Sequence, residues 1–330
     1  MRTERRFPLP WVLVVGGLAL LPFVTPGTYV TGVMCFVAIY ATLACGMAVL
    51  LEHAGLFSLA HPTFFGLGAY VAGILGANEI LPPWLGIIVA AIVVAVIACL
   101  IGAPLLRLRG YYLACATFGL LLIVEIGLAQ MGSITGGHDG LMGIPPLSLF
   151  GFTLQGDLHY YFISWGLCLG CLWFFSNLMN SRVGRAIKAF HYSEVAASSV
   201  GINVPRCKLH VFVVTAIMAS VAGSIFCFYL QFATPSLFGF PLLVELFTMI
   251  VIGGPATLAG PVLGSAVLIW LREVIHMYLK GVLPMLTAEV DAVFFGILIV
   301  AILVFMPDGL AGSLERLANP VRRHVVGRSS

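Results

Sequence analysis

Charge is what this chain lacks. Asp, Glu, Lys and Arg together make up 9% of its 330 residues, against 61% hydrophobic residues. Soluble domains run at about 25% charged and about 45–50% apolar, and no water-soluble core hides this much apolar surface. With a mean hydropathy of +1.09, the solvent is a bilayer. The motifs of common hydrolytic chemistry are missing as well. No G-x-x-x-x-G-K-[ST] phosphate cradle occurs, which excludes a P-loop ATPase within the chain, and neither H-E-x-x-H nor G-x-S-x-G is present. No catalytic constellation, metal set or cofactor box stands out, so enzyme function is disfavoured. Basic residues border hydrophobic runs and form no soluble basic face, which argues against nucleic acid.

Cysteine is present but carries no redox or metal pattern. Seven of the eight, Cys35, Cys45, Cys99, Cys115, Cys168, Cys171 and Cys227, fall within hydrophobic runs, where the thiol behaves as a small apolar group; Cys207 is the eighth. Cys168 and Cys171 form a C-x-x-C, yet within an apolar span and with no second ligand pair.

What is abundant is apolar sequence in runs of spanning length, about 20 residues each. Candidate spans cover 10–25, 29–51, 55–77, 83–106, 111–131, 159–179, 209–232, 240–254, 258–279 and 290–306, of which 240–254 is short. The expected fold is an all-α polytopic membrane protein with eight to ten membrane segments, some interrupted by Gly and Pro. The opening MRTERRFPLPWVLVVGGLALLPFV lacks a small-residue cleavage site and reads as a retained first helix.

The few basic residues orient the chain. Fourteen of the sixteen lie in four places: the N-terminus, Arg107 with Arg109, the stretch 181–208, and the tail from Arg316 to Arg328. The loops 78–82 and 132–158 contain none. Even numbers of candidate spans separate the four clusters, so all four, and both termini, are expected in the cytoplasm. Arg272 and Lys280 are exceptions expected near the outer face. The outer stretch 132–158 opens GSITGGHDGLMGIPP and reads as a turn-laden connection without a regular helix, either a plain loop or a docking surface.

Two segments are broken at membrane depth: 55–77, with His61-Pro62 near its start, and 235–264, with Gly253-Gly254 within it. Proline removes a helical hydrogen bond, and lipid tolerates such backbone only when protein buries it or it lines a cavity. Interrupted segments in the two halves of a carrier point to a transport site. His61, Pro62, Gly66, Gly253 and Gly254 are therefore candidates for a translocation path. Glu125 and Glu245 join them, because ionisable groups within spans are expensive. Each of the two acids can equally serve as a plain interhelical hydrogen-bond acceptor.

The most distinctive stretch is SRVGRAIKAFHYSEVAASSVGINVPRCK, residues 181–208. At about 100° per residue, Val183, Ile187 and Phe190 share one arc, and Arg182, Arg185 and Lys188 lie nearly opposite. Ser193 is placed to cap a second helix from Glu194 to Val200. Gly201 is placed to end that helix in a left-handed conformation, and Pro205 to stop any continuation of it before the next span. Two short helices joined by a turn follow. A solvated loop obeying the positive-inside rule is the plainer reading.

Here the chain resembles a known family. The pattern G-R-A-I-K-A, then S-E-V-A-A-S-S-V-G-I-N and K-L, is similar to the cytoplasmic loop of permease subunits from branched-chain amino acid ABC importers, of the LivM type. GLFSLAHPTFFGLGAY, RLRGYYLACATFG, TGGHDGLMGIP, VIGGPATLAGPVLGS and MPDGLAG follow in the same order, so the resemblance runs from about residue 45 to 312. It departs at His191-Tyr192-Ser193, where such loops are commonly more charged. The resemblance implies one permease domain over 1–330, with 181–208 as a loop that docks on cytoplasmic ATP-binding cassette subunits. Gly184, Arg185, Glu194, Ala196, Ala197 and Gly201 would shape that coupling element. It further implies a second, LivH-like permease, a periplasmic substrate-binding protein and a bacterial inner membrane location, with no cofactor in the chain itself. Permeases for urea or short amides share the pattern, although the H-D of TGGHDGL fits the amino acid branch better. A carrier driven by ions alone is the alternative of another class.

Overall fold

A computed structural model describes residues 28–149, 152–154, 156–254 and 259–279. The protein is an all-α, multi-pass membrane protein. Helix α1 (Thr28–Ala48) continues through a π-helical turn, Val49–His53, and is followed by α2 (His61–Ala77), α3 (Pro83–Leu105) and α4 (Tyr111–Gln130). After an irregular stretch come α5 (Asp157–Asn180), the short pair α6 (Arg182–Tyr192) and α7 (Glu194–Ser199), then α8 (Val204–Leu230), α9 (Phe240–Gly253) and α10 (Gly260–Leu279). Six described segments are long and apolar enough to cross a membrane: Tyr29–His53, Pro83–Leu105, Tyr111–Gln130, Asp157–Asn180, Val204–Leu230 and Pro235–Gly253. The expected spans 10–25 and 290–306, the N-terminal arginines, Lys280 and the basic tail lie outside the described residues.

Several boundaries differ from expectation for identifiable reasons. The segment 55–77 is helical only from His61, with Pro62 in the first turn, where a missing N–H costs nothing. Pro205 likewise stands in the first turn of α8. That span therefore opens at Val204, ahead of the expected start at 209. The stretch 132–158 is richer than a plain loop. It holds a helical turn, Gly132–Thr135, a 3-10 turn, Gly137–Asp139, and a two-stranded antiparallel ladder pairing Ser148 with Thr153 and Leu149 with Phe152.

In lipid the packing face cannot be chosen by hydrophobicity, because tails are as apolar as Leu; close backbone approach decides instead. Helix α3 shows this plainly. Gly86, Ala90, Val94, Ala98 and Gly102, every fourth residue, are buried, whereas Ile88, Ile92, Val96 and Leu100 face outward. Helices α2 and α8 approach closest where Gly68 meets the Ser220 backbone and Gly223 meets the Phe65 carbonyl. A Cβ at either glycine would overlap main chain. Ser224 Oγ donates to the Gly68 carbonyl at 3.0 Å, sealing the crossing with a polar contact. Helix α1 runs through the centre, with Cys35, Val37, Ala38, Ile39, Leu43 and Met47 fully buried. It packs on α5, α8, α9 and α10.

Candidate functional site

The stretch 181–208 folds as two capped helices. Ser181 Oγ accepts from Val183 N and Gly184 N, and Ser193 Oγ accepts from Ala196 N at 3.2 Å. Gly201 adopts φ +84°, the left-handed exit that a side chain would strain. Gly184 lies against the carbonyls of Leu178 and Met179, the last turn of α5, so α6 leaves α5 at a tight corner. Ile187 and Phe190 are buried as expected, but Val183 is 44% exposed. The buried stripe runs through Gly184, Ile187 and Phe190, because only glycine fits under the end of α5 and that contact fixes the rotation of α6. Arg182, Arg185 and Lys188 remain exposed.

In α7, Ala197 is buried and Ala196 is exposed. Glu194 forms an ion pair with Lys208 of α8 and lies 3.6 Å from Arg109, which precedes α4. Lys208 is the more enclosed partner, with its side chain 7% exposed against 34% for Glu194 and 80% for Arg109. One carboxylate therefore joins three parts of the basic end: the α3–α4 turn, α7 and α8. Tyr192, Val195 and Val200 project outward around this joint. Sequence reading placed Lys208 and Arg109 among the basic clusters without pairing them to Glu194. The signal was available, since Glu194 is the only acid in 181–208.

The two breaks are the second feature. Helix α1 ends beside α6, where Gly55 (φ +64°) lies against the His191 ring, and α8 begins at that same end, where Lys208 meets Glu194. At the far end Tyr229 of α8 donates to Asp157 at 3.2 Å, and Gly32 of α1 packs on the same pair. Helices α1 and α8 thus run in opposite directions. Each leads into a coil and then a shorter helix with proline in its first turn: Pro62 in α2 and Pro241 in α9. The order of long helix, break and short proline-headed helix thus occurs twice, on oppositely directed long helices. The coils also cross. Phe57, ahead of α2, packs on Phe247 of α9 at 5.9 Å, and Phe238, ahead of α9, packs on Phe65 and Tyr70 of α2 at 5.6 and 5.9 Å.

Helix α4 holds the start of both short helices. Thr117 Oγ1 accepts from Leu59 N at 2.9 Å, and the Glu125 carboxylate lies against Gly239, the residue that precedes α9. Gly66 is where Phe238 fits. His61 does not join this group. It is buried against Gly46, and among the described residues neither ring nitrogen has a hydrogen-bond partner. Pro62 is buried in the same turn. Gly253 packs on the Gly260 backbone, and Gly254 turns with φ +84°.

Arg272 was expected near the outer face. It pairs with Glu245, a residue of the span Pro235–Gly253, at 2.9 Å. A cation against such a span needs an anion, and Glu245, the acid of the neighbouring helix, supplies it. The branched-chain amino acid transport system / permease component family matches residues 29–303.

The chain belongs to that family. It is LivM-like. The permease protein LivM of the high-affinity branched-chain amino acid transport system of Escherichia coli (strain K12) is 29% identical over 295 residues, covering 82% of this chain and 67% of that protein. The LivH permease protein of Salmonella typhimurium (strain LT2) is 27% identical over 294 residues, covering 84% and 92%. A probable LivM of Methanocaldococcus jannaschii is 20% identical over 290 residues, covering 80% and 82%. No solved structure matches.

Proposed function

We propose that this permease is one membrane subunit of an ABC importer for branched-chain or related amino acids, in which partner subunits hydrolyse ATP and this chain moves substrate without catalysing a reaction. The observation that carries the reading is the α6–α7 unit. It is anchored inward by Ile187, Phe190, Ala197 and the Glu194–Lys208 pair, while Arg182, Arg185, Tyr192, Val195 and Val200 face away from the protein. An element buried on one side and left apolar and cationic on the other is built to be pushed by a partner. Cytoplasmic ATP-binding cassette subunits are that partner, with Gly184, Arg185, Glu194, Ala196, Ala197 and Gly201 shaping the contact.

In this reading residues 1–330 form one permease domain in a bacterial inner membrane, with both termini and 181–208 in the cytoplasm. A LivH-like second permease completes the path, and a periplasmic binding protein docks at 132–158. The crossed breaks before α2 and α9 move as access alternates, and His61, Pro62, Gly66, Glu125, Glu245, Gly253 and Gly254 flank the translocation path. Deletion of 184–201 tests the proposal. ATP-driven uptake and co-purification of the ATPase are both expected to be lost. Uptake by the chain alone in energised vesicles, without partner subunits, would identify an ion-coupled carrier and end the ABC reading.

A further inference from the structure

A groove of about 470 Å³ opens where the coil before α2 meets the start of α4, lined by Phe57, Leu59, Tyr111, Ala114, Cys115 and Phe118, with Gly110 at its end. Its wall is apolar along its whole length. From Gly110 to Phe118 is eight residues of α4, a rise of about 12 Å. Only the Gly110 end changes character. Arg109 and Arg107 immediately precede it, both exposed, and Tyr111 and Tyr112 stand outward beside them. Tyrosines favour the level of lipid headgroups, and clustered arginines at a cytoplasmic membrane border attract anionic lipid.

We propose that this groove is a binding site for an anionic phospholipid, with one acyl chain between Phe57 and Phe118 and the phosphate held by Arg107 and Arg109. A surface that is apolar throughout and cationic at one end complements an amphiphile with a single anionic end. A partner helix would have to bury the exposed Arg107 and Arg109 guanidinium groups there. Arg109 also lies 3.6 Å from Glu194. A bound phosphate and the α7 carboxylate therefore share one cation, so lipid occupancy acts on the α6–α7 unit. The site rests on the cytoplasmic orientation given under the proposed function, but its occupancy is measurable without any transport.

The full chain is placed in nanodiscs of equal phosphatidylglycerol and phosphatidylcholine, released, and the retained lipid is counted by native mass spectrometry. Phosphatidylglycerol is expected to be enriched about 30-fold, the scale of two interfacial arginines. The double substitution Arg107→Gln, Arg109→Gln is expected to abolish the enrichment. Cys115→Trp, which fills the groove and keeps both arginines, is expected to lower retention of either lipid. Size exclusion and thermal melting confirm that both variants fold. Equal retention of the two lipids by the unaltered chain, or enrichment that survives both variants, overturns the site. Cross-linking of the groove to a second permease subunit in the assembled complex would also overturn it. Loss of ATP-driven uptake with lipid enrichment intact would count against the transport reading and leave the lipid site standing.

Discussion

Neutralising Glu194 should harm the protein more than neutralising Lys208, although the two form one ion pair. Lys208 is enclosed, and Glu194→Gln leaves its ammonium in a site with little water. Breaking a fully buried pair from one side costs about 3–5 kcal/mol. The Glu194 side chain is 34% exposed, which brings the expected cost of its loss to about 2–3 kcal/mol. Lys208→Met removes the buried cation itself, its aliphatic replacement suits the enclosure, and the remaining carboxylate keeps water and Arg109 at 3.6 Å. That variant should cost about 1 kcal/mol or less. Hydrogen exchange across 194–202 reads the difference, because α7 is held by little else than Ala197 and this pair. Glu194→Gln should speed exchange there by about 30-fold or more, and Lys208→Met by less than about 5-fold. ATP-driven uptake should fall in the same order. A Lys208→Met variant as damaged as Glu194→Gln would refute the reasoning, since it would mean that the pair is held by mutual attraction and not by enclosure of the lysine.

Other expectations follow from the packing. Gly223→Ala places a Cβ against the Phe65 carbonyl, so α2 and α8 must separate; a loss of about 1–3 kcal/mol should appear as a lower melting temperature in detergent. Arg272→Leu removes the cation paired with Glu245 of the span Pro235–Gly253 and should cost about 2–3 kcal/mol, while the double change with Glu245→Leu should recover most of it. Gly201→Ala forces a side chain into φ +84° and should cost about 1 kcal/mol, visible as faster exchange at the end of α7.

How much of this was legible depended on whether a residue acts locally. Ser193 and Gly201 could be assigned from sequence, because a cap and a left-handed exit involve only backbone a few residues away. Val183 was misplaced because the rotation of α6 is set by Gly184 meeting the end of α5, a contact that periodicity does not contain. The start of α2 at His61 and of α8 at Val204 followed the rule for proline in a first turn, which span-length reasoning passed over. Arg272 was hardest, because hydropathy measures how apolar a segment is and says nothing of which acid faces a lone cation. The packing face of α3 was unreadable by hydropathy, yet the fourfold spacing of Gly86, Ala90, Val94, Ala98 and Gly102 was in the sequence throughout.

The hydrogen bond from Leu59 to Thr117 and the contact of Glu125 with Gly239 make α4 a gauge as well as a wall. Thr117 and Glu125 stand eight residues apart, so a straight helix fixes about 12 Å between them. The two broken helices approach that gauge from opposite directions. A shift of one along the membrane normal must carry the other with it or break one of the two contacts. Synchrony between the two broken helices is thus a matter of ruler length, set by a helix whose outward face, among the described residues, touches little else.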